Sequence, residues 1–262
     1  MSQEAAPGRV RHEAHGRVLR ITIDNAARRN AFTPEMMDEL SDALTELDSD
    51  DRYWAGVVCA EGDHFTAGLD MPKFFGPTAQ LRREKPGNVD PFGLTRQCRK
   101  PLITAVQGVT FTVGIEMLLA GDIAVAAENV RFCQMEAKRG IAPLAGGHFR
   151  YLTRMGWGDA MYHLMLCDEF GAAEALRIGL VQEVVPLGRQ AERAMELADR
   201  IVANAPLGVQ VTKKAARTFL AAAEAAAIAA GPEIRATVMD TEDAKEGIRS
   251  FVERRAAVFQ GR

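Results

Sequence analysis

The chain reads as an α/β protein with a helical C-terminal region. Two features carry that reading. Buried-type strands alternate with helix patterns and glycine-containing turns through the first half, and from Gly171 onward the signal is helical. With 262 residues the chain can bury a large core. We divide it into a core over 1–200, which holds the candidate site, and a helical region over 201–262 that serves as pocket wall and subunit contact.

The opening "MSQEAAPGRVRHEAHG" is charged and lacks an apolar leader, and no run approaches the length of a membrane span, so a cytoplasmic location is expected. "RVLRITID" (17–24) alternates as a strand before Asn25. "TPEMMDELSDALTELD" follows as a helix, with Thr33 as N-cap, Pro34 at the first helical position, and Met37, Leu40, Ala43, Leu44 and Leu47 on one face. "AGVVCAEG" (55–62) and "PLITAVQG" (101–108) are strands that end at glycine, and "DIAVAAENVRFCQ" (122–134) divides into two strands around Glu128-Asn129. Segment 76–100 mixes Pro, Gly and charge, as a mobile ligand-covering loop with a short helix would. The Ala-rich 221–230 has few charges, so it packs on the body of the subunit or joins subunits.

Composition excludes several classes. The net charge of −3 gives no general attraction to nucleic acid or to an anionic membrane. The four cysteines form no CxxC pair and the five histidines show no ligand spacing, which leaves no metal centre to expect and suits reduced thiols.

Three stretches are suited to chemistry. "EGDHFTAGLDM" (61–71) brings small residues and free amides to a strand end, as an anion site or an ordinary strand-to-helix turn would. "VQGVTFTVGIEMLLAGDIAVA" (106–126) places Glu116 in the first turn of an apolar helix, on the face shared by Val113, Met117 and Ala120. Glu116 is then a working carboxylate, a helix-dipole partner, or half of a buried ion pair. "QMEAKRGIAPLAGG" sets Glu136 before a glycine-rich turn, with Lys138 and Arg139 as possible neutralising partners. If both glutamates face one poorly hydrated cavity, their pKa values separate, and one carries a proton while the other is ionised.

In order and spacing, these stretches resemble the crotonase superfamily, specifically enoyl-CoA hydratases and isomerases, over roughly residues 15–262. The similarity lies in "IDNAARRNAF", "FTAGLDM", the run 100–147, "AAEALRIGLVQEVVP" and the closing "DAKEGIRSFVERRAAVFQGR". It implies a spiral of ββα units with a helical C-terminal extension, assembled as a trimer or a dimer of trimers. By match, the amides of Ala67 and Val113 grip a thioester oxygen, Glu116 orients and deprotonates water, and Glu136 is the acid for C2. Arg28, Arg29 and Ala31 lie beside the pantetheine and 3′-phosphate, with Ala67, Gly68, Leu69, Asp70 and Gly114 also in the substrate site. Arg254 and Arg255 match a basic pair that reaches CoA phosphate in some family members, often from a neighbouring subunit, whereas a solvated surface pair is the plain alternative for Arg28 and Arg29. Coenzyme A enters only within the acyl-CoA substrate, and no metal or redox cofactor is implied. The chain departs from the family pattern at Ala27 (usually Pro), Val113 (usually Gly) and Met135 (usually Pro). An isomerase using Glu136 alone and a silent CoA-ester-binding protein are the competing readings.

Overall fold

The computed structural model describes residues 7–75 and 85–262. Strands β1 (Arg9–His15) and β2 (Val18–Asp24) form an antiparallel hairpin. Helix α1 (Pro34–Ser49) starts where Thr33 Oγ1 accepts from the Met36 amide, and buries Met36, Met37, Leu40 and Leu44. Next come β3 (Ala55–Ala60), α2 (Met71–Phe75), β4 (Leu102–Val106), β5 (Val109–Phe111) and α3 (Val113–Ala120). Then follow β6 (Ile123–Ala127), β7 (Arg131–Cys133), α4 (Gly147–Leu166), β8 (Phe170–Gly171), α5 (Ala172–Arg177) and β9 (Glu183–Val185). Four helices close the chain: α6 (Gln190–Val202), α7 (Pro206–Ala229), α8 (Gly231–Val238) and α9 (Glu242–Val252).

The larger sheet has the order β1-β2-β3-β4-β6-β9, parallel from β2 onward, and a smaller one has the order β5-β7-β8. β4 and β6 lie in the large sheet, and the strands that follow them, β5 and β7, lie in the small one. The bridges Phe32 to Leu69 and Thr66 to Thr110 carry the small layer back through the turns after β2 and β3. This is a ββα spiral. Ala194 and Ala198 of α6 pack on one face of the large sheet against Val57, Ile103 and Val125, while the main core fills the space enclosed by the spiral.

Three expectations change. Strand β1 was not expected, because only Val10 of its seven residues is buried and an edge strand open to water lacks apolar alternation. The helical signal after Gly171 is broken by β9, a three-residue addition to the edge of the large sheet. Segment 85–100, expected to be mobile, is tied down and contains no helix. Asp90 accepts from the amides of Phe92 and Leu94, and Asp48 accepts from Arg96 and Arg99. The remainder of that expected loop, 76–84, lies outside the described residues. Among the described residues, no helix is long and apolar enough to cross a membrane.

Candidate active site

Two turns form one wall of the site. The Thr66 amide donates to Val109 O (3.0 Å) and Thr66 O accepts from the Phe111 amide (3.0 Å), so "FTAG" runs beside "TFTVG" and both chains leave at the same end. The packing leaves no room for side chains at two places. A Cβ on Gly68 would meet Thr112 Oγ1 at 2.6 Å, and one on Gly114 would meet Thr66 Cγ2 at 2.5 Å. Thr112, which caps α3, holds φ 49°, ψ −115°, a left-handed turn that a β-branched residue rarely adopts. The first amides to bond back onto Thr112 O are those of Ile115 and Glu116, so Val113 and Gly114 precede the helix's own ladder. Ala67 is different: its amide donates to Arg29 O at 2.9 Å, so the second expected oxyanion donor is already engaged.

Glu116 and Glu136 lie near each other in the interior and are only 2% and 8% exposed. Glu116 Oε1 accepts from the Gly147 amide at 2.9 Å. Gln134 Nε2 donates to Glu136 Oε1 at 2.9 Å, and Tyr151 Oη donates to Gln134 Oε1 at 3.5 Å. A Cβ on Gly147 would lie 3.1 Å from Glu116 Oε1 and 3.4 Å from Gln134 Nε2, so the two carboxylate supports share one small space. Among the described residues, Glu136 Oε2 is buried with no hydrogen-bond partner.

Burial pushes both carboxyls above the ordinary range, for different net reasons. Burial raises Glu116 and is opposed by the Gly147 and Ala145 amides and by the Arg150 charge. Burial also raises Glu136, and the Glu116 charge acts in the same direction, against its own amide and that of Gln134. The direction is clear: Glu116 is the better anion and Glu136 the better proton holder. The Tyr151 phenol, fully buried beside both, is raised by burial and by the charges of Glu136 and Glu116.

Neutralisation of Glu136 by its neighbours does not occur. Lys138 Nζ pairs with Asp168 Oδ1 at 2.9 Å, and the Arg139 guanidinium lies 4.9 Å from the centre of the Phe251 ring. Arg28, Arg29 and Ala31 lie on the turn beside residues 67–70. Phe32 N donates to Gly68 O, Asp70 N donates to Phe32 O, and the exposed Arg28 pairs with Asp70 at 3.3 Å. Of the C-terminal pair, Arg255 is bonded to Glu246 and Glu253 within its own chain. Gln134, Tyr151 and Arg150 were not singled out in the sequence, and Gly147 only as part of the glycine-rich turn after Glu136. Gln134 stands two positions before Glu136, but what identifies its role is the bond it makes.

The family model described as enoyl-CoA hydratase/isomerase matches residues 13–262. This chain belongs to the enoyl-CoA hydratase/isomerase family. The chain is 35% identical over 254 residues to enoyl-CoA hydratase EchA19 of Mycobacterium tuberculosis, covering 95% of this chain and 96% of that one. It is 31% identical to the 2,3-dehydroadipyl-CoA hydratase of Escherichia coli, covering 94% and 96%. Among solved structures, carnitinyl-CoA hydratase from Mycobacterium avium superposes with a TM-score of 0.86 at 33% identity, over 97% of this chain and 98% of that one. These family members and this chain share the crotonase architecture.

Proposed function

We propose that this protein is an enoyl-CoA hydratase, reversibly adding water to a 2-enoyl-CoA thioester. The observation that carries the reading is the unequal pair: two buried glutamates, one supplied with amide donors and a nearby guanidinium, the other with an unpartnered oxygen. Glu116, the anion, takes a proton from water as the water oxygen bonds to C3. Electrons shift to the thioester oxygen as an enolate, and Glu136 delivers its proton to C2. The enolate oxygen is held by the amide of Val113 at the α3 N-terminus, with Ala67 sharing its N–H with Arg29 O. Carboxylates and main-chain amides suffice, with no cofactor beyond the coenzyme A of the substrate. Arg28, Arg29, Ala31 and residues 67–70 with Gly114 form the coenzyme A and thioester contacts. Hydratase relatives at 31–35% identity support the same reading.

Assembly as a trimer or hexamer fits the same picture. Helix α7 has no buried residue and presents Leu207, Val211 and Phe219, the last 88% exposed, as an apolar face in need of cover. Four unpaired thiols suit the cytoplasm.

The test is loss of enoyl absorbance with a panel of 2-enoyl-CoA thioesters. Glu116→Gln and Glu136→Gln should each slow hydration by roughly a hundredfold or more, and the double variant should be little worse than either single. Hydration by Glu116→Gln at the wild-type rate, or a wild-type enzyme that shifts a 3-enoyl thioester but never hydrates the 2-enoyl form, would leave Glu136 as the lone working carboxylate of an isomerase.

A further inference from the structure

Helix α4 addresses both carboxylates from one face. Gly147, its first residue, donates its amide to Glu116 Oε1, and Tyr151 follows one turn later on the same side. Tyr151 is fully buried among core side chains, and a buried phenol is unfavourable unless its hydroxyl finds a partner. Among the described residues that partner is Gln134 Oε1, which accepts from Tyr151 Oη at 3.5 Å. With its oxygen turned to the phenol, the buried Gln134 amide presents Nε2 to Glu136 Oε1, at 2.9 Å. Glu136 Oε2 is buried with no hydrogen-bond partner among the described residues. Gln134 Nε2 also lies close to Gly147, where a Cβ would approach it to 3.4 Å.

The two oxygens of Glu136 are therefore unequal. The Nε2 hydrogen fills the line between Gln134 and Oε1, so a protonated Glu136 carries its own hydrogen on Oε2. We infer that Tyr151 is a positioning residue: through the Gln134 amide it fixes Oε2 as the oxygen from which Glu136 gives its proton to C2. The delivery step rests on the hydratase reading, whereas the hydrogen-bond order Tyr151, Gln134, Glu136 does not. As the proton leaves, the O–H electron pair stays on Glu136 and the enolate pair forms the C2–H bond. The carboxylate so produced keeps the Gln134 donor on Oε1. A hydrogen bond to a developing anion is stronger than one to the neutral acid, so this donor favours the transition state over bound substrate. A phenol that only filled the core would leave the amide free to turn over. The turned amide would present its oxygen to Glu136 and draw the proton onto Oε1. One face of α4 thus sets both roles, through the Gly147 amide for Glu116 and through Tyr151 for Glu136.

The test is infrared difference spectroscopy of the ligand-free full-length protein in mildly acidic buffer. The C=O band of protonated Glu136 is assigned by its disappearance in Glu136→Gln. The carbonyl oxygen of that group is Oε1, so Gln134→Leu, which keeps bulk and removes the donor, should move the band to higher wavenumber. Tyr151→Phe should move it the same way by less. In a Gln134→Leu background Tyr151→Phe should add nothing, because the phenol acts through the amide, whereas a packing role would add independently. For crotonyl-CoA hydration, kcat should fall roughly tenfold or more in Gln134→Leu and about threefold in Tyr151→Phe. KM should stay near the wild-type value, since the donor strengthens only as charge develops. A band at the wild-type position in both variants, or an equal effect of Tyr151→Phe with and without Gln134, would overturn the inference. If Gln134→Leu does not fold, Tyr151→Phe decides alone, and an unmoved band refutes the positioning role. A wild type inactive on every enoyl thioester would refute the hydratase reading, while the band positions still decide the hydrogen-bond order.

Discussion

The turn that begins α3 and the turn that carries Glu136 each bring a glutamate to the same buried region, but they are built in opposite ways. The α3 turn is fixed by the strand ladder around Thr66 and by contacts that admit no side chain at Gly68 or Gly114, and its glutamate receives amide donors. The Glu136 turn is held from outside. Its Arg139 lies on Phe251 of α9, its Lys138 reaches Asp168, and one buried carboxylate oxygen has no hydrogen-bond partner among the described residues. The difference teaches how two identical side chains acquire different work. Main-chain amides favour the anion at Glu116, whereas at Glu136 burial and the Glu116 charge outweigh the Gln134 donor and keep a proton in place.

The largest test of the comparison attacks the rigid side. Val113→Pro removes the main-chain donor at the start of α3 while placing the ring where a helix tolerates it best. If that amide holds the enolate, the substitution costs roughly 3 kcal/mol of transition-state stabilisation, about a hundredfold in kcat. Val113→Gly should leave thioester binding largely intact. Turnover of Val113→Pro equal to wild type would remove Val113 from the oxyanion role.

The next test sharpens the electrostatic half. A carboxyl raised in the folded state keeps a proton that the unfolded chain releases, so the native state binds more protons between the two pKa values. Stability should therefore fall as pH rises from the ordinary glutamate value through the raised one. Glu136→Gln keeps the shape and removes the titration, so within that window it should gain on wild type by about 1.4 kcal/mol for every step of one in pH. Denaturant unfolding of both proteins at a series of pH values measures this. A difference that does not change with pH would mean that Glu136 is not held protonated by its surroundings.

How much of this was legible in the sequence follows the same division. Local pattern revealed α1 with its Thr33 cap, β2, β3, β4, β6 and β7, and the small residues of the "FTAG" turn, because each depends on neighbours within a few residues. β1 was hidden because an edge strand in water carries no alternation. β5 was hidden because its three residues look like part of a turn. The carboxylates were legible as residues within motifs, but their inequality was not. It depends on Gly147 meeting Glu116 across 31 positions and on Arg150 reaching Gly93 across 57. Charged residues next to Glu136 in sequence suggested neutralisation, yet the turn points both of them elsewhere.

The smallest expected effect asks whether the rigid turn stores strain. At φ 49°, ψ −115°, Thr112 occupies a region open to glycine and unfavourable for a β-branched side chain. Relief of such strain is worth roughly 1–3 kcal/mol, and glycine returns about 0.5–1 kcal/mol of it as extra freedom in the unfolded chain. Thr112→Gly should therefore raise stability by about 1 kcal/mol. Thr112→Ala, which keeps a Cβ in the same turn, should gain less than Thr112→Gly. The Thr112 side chain makes no capping bond to α3, so no helix-cap contribution is lost in either variant. Denaturation midpoints of the three proteins give the order. A Thr112→Gly protein less stable than Thr112→Ala would show that the Thr112 methyl and hydroxyl, packed over Gly68, outweigh the backbone strain, and the rigidity of the α3 turn would then come from side-chain packing instead.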